Sequence, residues 1–194
     1  MQRVWSRGRE RPSVIYLAFL RGVNVGGKSV LMADLRGMFG KLGYDTAKTL
    51  LQSGNVAFHV KGRSTAAALE SMLERETRAR LGLETKYLIR TADEWDAVVT
   101  ANPYPRAAMT DPARLIAMPL RTAPTPAHVA ALRAAIVGRE TVEVIGRTAY
   151  FIYPDGQGNS KLTINIIEKK LETTGTARNW NTTLKMQQLA GEMR

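Results

Sequence analysis

The sequence VIYLAFLRGVNVGGKSVL, residues 14–31, sets the framework for the rest of the chain. The unbroken apolar run at residues 14–20 is typical of a strand that is buried on both faces. A glycine-rich loop follows this run. The residues after the loop, beginning with Leu31, are apolar at helical spacing and end before Gly43, a good stop signal. The stretch therefore predicts a strand, a loop and a helix in direct succession.

The loop of this unit resembles a phosphate-binding loop. Gly22, Gly27, Lys28 and Ser29 match the pattern G-x-x-x-x-G-K-[ST], in which backbone N–H groups and a lysine hold phosphates at a helix N-terminus. A nucleoside triphosphatase of this type also needs a parallel strand that ends in a magnesium-binding carboxylate. None of the strands predicted here ends in Asp or Glu after an apolar run. We therefore interpret the match as accidental, with the glycines serving a tight turn.

Two hairpins determine how the strands are arranged. The first has its turn at QSGN, residues 52–55, and the second at GR, residues 146–147. A short turn between two apolar runs favours antiparallel pairing, with Gly54 or Asn55 expected to supply the positive φ of the first turn. In each part of the chain the hairpin follows a strand and an amphipathic helix. In the first part we expect Ser29 and Ser64 to cap two helices, and the capping box Thr91-Ala92-Asp93-Glu94 to open a third. The sequence thus predicts an α+β fold with two βαββ-type halves and antiparallel sheets, closed by C-terminal helices.

Changes in composition divide the chain into four parts. Residues 1–13 are rich in arginine and lack periodicity, as expected of a basic flexible tail. The first α+β half covers residues 14–101. A connection that contains three prolines, residues 102–113, leads to the second half, residues 114–194, which includes the C-terminal helices.

Composition limits the chemistry that the chain can perform. With no cysteine among 194 residues, it has no disulfide, thiol nucleophile or cysteine metal site. His59 and His128 do not belong to a ligand-spaced group, so we predict no metal site and no cofactor. No apolar stretch is long enough to span a membrane, and no secretory signal is present, so we expect a cytoplasmic protein. The net charge of +11 favours a polyanionic partner, although a solvated basic surface would give the same value.

One cluster of polar residues follows from the order of the strands. Because a helix joins the first two strands, they run in the same direction, and the loop after the first meets the turn after the second at one edge of the sheet. Basic side chains, amides and a helix N-terminus would hold an anion there. This candidate anion site comprises Arg21, Asn24, Gly26, Gly27, Lys28, Gln52, Ser53 and Asn55. The structural alternative is that Arg21 and Gln52 only tie the loop to the hairpin, leaving no cavity.

A second cluster lies near the C-terminus. Basic and amide side chains around one tryptophan suit a phosphate-bearing partner. We assign to this candidate basic surface Lys161, Lys169, Lys170, Arg178, Asn179 and Asn181. The alternative is structural, with Trp180 in the core and Asn179 or Thr176 capping the last helix. Glu168 is interpreted as a solvated helix residue.

Several motifs occur in a fixed order along the chain: LRGVNVGGK with MADLR, then LQSGNV, and finally SKLT, IEKKL and TARNWNT. Together they resemble domain-of-unknown-function family 1697, a widespread bacterial group. The resemblance covers about residues 14–190. It implies an α+β fold built from two ferredoxin-like halves, in agreement with the repeated hairpins, and it implies no reaction.

These observations favour a small protein that binds a nucleic acid or another phosphate-bearing ligand through basic loops. No catalytic residue is assigned, because Ser53 has no identifiable base and the two histidines stand apart. Two alternatives remain open. The chain could be an enzyme for a nucleotide-like or phosphorylated small molecule, with Arg21 and Lys28 holding the anion, or a structural or protein-interaction module.

Overall fold

The computed structural model describes residues 13–22, 31–50, 54–62 and 64–194. Within these residues the first half contains β1 (Ser13–Leu20), α1 (Met32–Lys41), β2 (Lys48–Leu50), β3 (Asn55–Lys61), α2 (Ala66–Leu81), β4 (Tyr87–Thr91) and α3 (Ala92–Thr100). The second half contains α4 (Pro105–Thr110), β5 (Leu115–Pro119), α5 (Pro126–Ala134), β6 (Thr141–Ile145), β7 (Thr148–Ile152), α6 (Ile164–Leu171), β8 (Arg178–Asn179) and α7 (Trp180–Gly191). No helix of the described part is long and apolar enough to cross a membrane.

The strands form two separate four-stranded antiparallel sheets with the same internal order. The first sheet is arranged β2-β3-β1-β4 and the second β6-β7-β5-β8. The predicted α+β class with antiparallel sheets is therefore confirmed. Each half has the element order βαββαβ. The fourth strand of the second half, β8, was not predicted from the sequence. This strand has only two residues, too few to show a periodic pattern.

Both faces of β1 are buried, as its unbroken apolar run predicted. Alternate residues point to opposite faces of a strand, so β1 contributes to two cores. Its face towards α1 and α2 carries Tyr16, Ala18 and Leu20. Its opposite face carries Ile15, Leu17 and Phe19, which share a core with Trp95 of α3 and with Leu115, Tyr150 and Trp180 of the second half. The two sheets are thus joined by one continuous apolar layer.

The two halves repeat each other at their strand ends. The N–H of Leu20, which ends β1, donates to the carbonyl of Gly54 in the first hairpin turn at 2.8 Å. The N–H of Leu120, which follows β5, donates to the carbonyl of Arg147 in the second hairpin turn at 2.9 Å. The end of β1 and the first hairpin turn therefore share one edge, as the strand order predicted.

The helix starts follow the sequence prediction only in part. Thr65 rather than Ser64 caps α2, because its side chain accepts from the N–H of Ala68. Leu31 precedes α1 without a side-chain cap, while Ser29, the expected cap, lies outside the described residues. The expected capping box at Thr91 is present. The proline-containing connection holds the short helix α4, which its lack of periodicity did not indicate.

Candidate functional site

Arg178, assigned from sequence to a basic surface, is buried. Only 8% of the residue is exposed, and its guanidinium carbon lies 5.7 Å from the centroid of the Phe19 ring. Its Nη2 donates to the carbonyl of Leu20 at 2.9 Å, and its Nε donates to Oδ1 of Asn55 at 2.5 Å. Burial lowers the pKa of Arg178 to about 10, which leaves it charged at neutral pH. The side chain reaches from β8 to the end of β1 and the first hairpin.

This contact joins the two clusters that the sequence treated as separate. Asn55 belongs to the candidate anion site and Arg178 to the candidate basic surface. Thr176 adds a second link, because its hydroxyl donates to the carbonyl of Leu20 at 3.2 Å. The internal repeat could have indicated this contact. In the first sheet β4 pairs with β1, and at the equivalent place in the second sheet β8 pairs with β5.

The other members of the C-terminal cluster have mixed positions. Lys161, Lys169 and Asn181 are exposed, and Lys170 is half-buried. Asn179 caps α7 by accepting from the N–H of Thr182 at 2.9 Å, which is the structural alternative weighed from sequence.

Arg21, the first residue after β1, is paired with a carboxylate of the second half. Its Nε and Nη2 donate to the two carboxylate oxygens of Glu168 on α6, both at 2.7 Å. Hydrogen bonding to Glu168 raises the pKa of Arg21. Glu168 also accepts from the N–H of Gly175 at 3.0 Å, so its interpretation as a solvated residue was wrong. A helix pattern cannot show the pair with Arg21, because Arg21 lies 147 residues away in sequence.

A cleft of about 640 Å³ opens beside the end of β1. Its walls come from the first residues after β1, from the second part of α2 and from the segment that precedes β4. The described residues that line it are Arg21, Gly22, Ser71, Glu74, Arg75, Arg78, Glu84, Thr85 and Lys86. This cleft lies on the β4 side of β1, and of the described members of the predicted anion site only Arg21 lines it.

Local contacts fix the shape of this cleft. The N–H of Arg21 donates to the carbonyl of Lys86 at 2.9 Å, and the hydroxyl of Thr85 donates to the carbonyl of Arg21 at 2.8 Å. Gly22 has a φ of +69°, a left-handed conformation that favours glycine. The chain therefore turns sharply at the mouth of the cleft, where the glycine-rich loop begins.

Most of the predicted anion site lies outside the described residues. Asn24, Gly26, Gly27, Lys28, Gln52 and Ser53 lie outside the described residues, so the site as a whole stays a prediction. Arg21 and Asn55 lie at the same edge of the first sheet, one following β1 and one opening β3. Both neighbours of β1 are antiparallel, unlike the parallel sheet of a phosphate-loop enzyme.

Residues 14–150 match the family described as protein of unknown function (DUF1697). The chain belongs to this family. The match includes the cleft and the first hairpin, whereas the motifs SKLT, IEKKL and TARNWNT lie beyond it. A solved structure of similar fold is that of the conserved bacterial protein SP0830 from Streptococcus pneumoniae, with a TM-score of 0.72 and 20% identity over 92% of this chain and 99% of that one. None of the curated proteins compared matches the chain.

Proposed function

We propose that this protein binds a phosphate-bearing ligand in the cleft beside β1. The observation that carries the proposal is the position of this cleft, which places exposed cationic side chains next to the first residue of the glycine-rich loop. Backbone N–H groups of such loops and nearby basic side chains are a common way to hold phosphate oxygens. The volume falls within the range of small-molecule sites.

The cationic side chains of the cleft can bind an anion in place of the carboxylate partner that each of them has. Four cationic side chains and two carboxylates line it. The side chains of Arg75, Arg78 and Lys86 are each more than half exposed. Arg78 faces Glu84 at 3.3 Å with both side chains largely in solvent, a kind of pair that contributes at most about 1 kcal/mol. A phosphate group can therefore displace this partner at little cost.

A nucleotide-sized molecule and a nucleic acid strand would present the same phosphate chemistry to this cleft. The net charge of +11 adds a general attraction for either ligand. The two sources differ in salt dependence, because each strand phosphate that is neutralised releases counterions. Binding of a strand should lose affinity steeply with salt, and binding of a small molecule less so.

The test is calorimetric titration of the full chain with pyrophosphate and with a single-stranded oligonucleotide at several salt concentrations. The double variant Arg75→Ala and Arg78→Ala should weaken pyrophosphate binding by about tenfold, as expected for losing roughly 1.4 kcal/mol. Arg139→Ala is the matched control, because Arg139 is an equally exposed arginine of the second half, paired with Asp155. It should leave the affinity unchanged.

Removal of residues 1–12 separates the cleft from the basic N-terminal segment. If the shortened protein binds as tightly as the full chain, the affinity belongs to the folded part. Loss of all binding on this truncation, or equal binding by the cleft variant and the Arg139 control, would contradict the proposal.

A further inference from the structure

We propose that Arg178 is a positioning residue for the cleft, so that the second half of the chain completes the site of the first. This inference rests on the proposed function. Arg178 does not line the cleft. It acts on the backbone from which the cleft is built, because Leu20, whose carbonyl it binds, is followed directly by the cleft residues Arg21 and Gly22.

The contacts of Arg178 converge on one edge of the first sheet. Beside its bonds to Leu20 and Asn55, Nη2 lies 3.5 Å from the carbonyl of Gly54, whose same oxygen accepts from the N–H of Leu20. The guanidinium thus spans the end of β1 and the first hairpin turn. Its flat fork of donors suits several acceptors at fixed angles, which an ammonium group cannot match.

Arg178 is itself held in place from its own half. Its Nη1 donates to the hydroxyl of Thr176 at 2.8 Å and to the carbonyl of Ala177 at 2.8 Å. The same Thr176 hydroxyl donates to the carbonyl of Leu20. Two side chains of the second half therefore fix one carbonyl at the entrance of the cleft, and a side chain whose rotamer is locked in this way can hold a site to within a fraction of an ångström.

The internal repeat provides a natural control for this assignment. Arg90 of β4 pairs with β1 at the position at which Arg178 of β8 pairs with β5. Arg90 extends from the first half to the second, where it donates to the carbonyl of Leu120 at 2.6 Å and to that of Arg147 at 2.8 Å. The fold therefore uses a buried arginine at both junctions.

The contacts of Arg178, at the end of β1 beside the cleft, differ from those of Arg90 at the end of β5. The described acceptors of Arg90 are three backbone carbonyls, those of Ile89, Leu120 and Arg147. Arg178 additionally bonds the side chains of Asn55 and Thr176. A simple junction between halves needs only the carbonyl contacts. The extra side-chain contacts at the cleft end point to a demand for more exact positioning there.

The experiment compares Arg178→Lys with Arg90→Lys, using pyrophosphate as the probe and measuring both its Kd and the melting temperature. Lysine keeps the positive charge but lacks the planar set of N–H donors. A change in affinity would therefore report the hydrogen-bond geometry and not the charge. We expect both variants to melt at a lower temperature than the wild type. Only Arg178→Lys should weaken pyrophosphate binding, by about tenfold, the effect typical of a residue that orients the groups of a binding site. Amide exchange should rise at Leu20 in the first variant and at Leu120 in the second.

Thr176→Val is a milder second variant, in case Arg178→Lys does not fold. It removes one hydroxyl at nearly constant volume and should weaken pyrophosphate binding by roughly threefold, within the range for residues that act through a network. Unchanged affinity in the Arg178 and Thr176 variants, or an equal loss in Arg90→Lys, would overturn the positioning role alone. Absence of pyrophosphate binding by the wild type would overturn the proposed function, and this inference with it.

Discussion

Glu168 illustrates how one carboxylate can connect the two halves and also influence the cleft. It accepts two hydrogen bonds from Arg21, which lines the cleft, and one from the backbone of Gly175. A ligand phosphate near Arg21 would have to compete with this carboxylate. The ion pair is partly exposed, with 32% of the Arg21 side chain and 18% of the Glu168 side chain accessible, so solvent screens it.

The variant Glu168→Gln should therefore bind pyrophosphate more tightly, by about threefold, because a competing negative charge is removed from Arg21. The amide oxygen can still accept from Gly175, so the unfolding free energy should fall by only about 1 kcal/mol. Calorimetric titration and denaturant unfolding measure the two effects.

Glu143→Gln is the control for this variant. Glu143 pairs with Arg133 at 2.7 Å on the second half, with both side chains about half exposed and neither lining the cleft. It should leave pyrophosphate affinity unchanged. Unchanged or weaker binding by Glu168→Gln would show that Glu168 does not compete with the ligand.

At the scale of elements, α2 protects the free edge of β4. An edge strand presents backbone N–H groups without a neighbouring strand. Glu70 accepts from the N–H of Ile89 at 3.0 Å, and Glu74 accepts from the N–H of Tyr87 at 3.3 Å. Both carboxylates also bind Arg121, which follows β5, so the helix connects the edge of the first sheet to the second half.

Replacing Glu70 by alanine should lower the unfolding free energy by about 3 kcal/mol, since it leaves a buried N–H of Ile89 without its acceptor and removes a buried partner of Arg121. Denaturant unfolding measures this loss. Glu76→Ala on the same helix is the control. Glu76 pairs with the exposed Arg80 at 2.9 Å, and because solvent screens such a pair, its loss should leave the unfolding free energy almost unchanged. Similar losses in the two variants would mean that Glu70 does not cover the strand edge.

The elements that could be predicted from sequence are those with a local signal. The apolar run of β1, the two hairpin turns and the capping box at Thr91 each depend on a few neighbouring residues. Gly54 has a φ of +67°, as one of the two expected turn positions. These signals were enough to give the α+β class and antiparallel sheets.

The features that sequence reasoning missed depend on contacts between distant parts of the chain. Arg178 is a charged residue among polar neighbours, a pattern typical of a surface, and its burial follows only from the carbonyl acceptors that the first half supplies. Glu168 and Glu70 sit on helices, where a carboxylate is usually solvated. The β4 wall of the cleft was missed because the segment before β4 carries no motif.

The whole molecule is organised by a reciprocal exchange between its two halves. Arg21 after β1 binds Glu168 of the second half, and Arg121 after β5 binds Glu74 of the first. The buried arginines repeat the exchange, since Arg90 reaches the end of β5 and Arg178 the end of β1. The ends of β1 and β5 are therefore each bound by side chains of the other half, and the cleft of the first half depends on contacts from the second.

This exchange, together with the shared apolar core, should make the two halves unfold as one cooperative unit. Native-state hydrogen exchange can test this, because residues in one unit exchange with the same opening free energy. Amides of Leu17 in β1 and Ala117 in β5 should agree within about 1 kcal/mol. Arg121→Met should lower both values by a similar amount, roughly 2 kcal/mol for a partly buried arginine with two carboxylate partners.

Arg139→Met provides the control for this measurement, since Arg139 pairs with Asp155 on the surface of the second half alone. It should leave both opening free energies unchanged, because the pair is exposed to solvent. A loss confined to Ala117 in Arg121→Met would show that the halves open independently. In that case the hydrogen bonds of Arg178 would break whenever the second half opened, and the cleft would lose its support without unfolding of the first sheet.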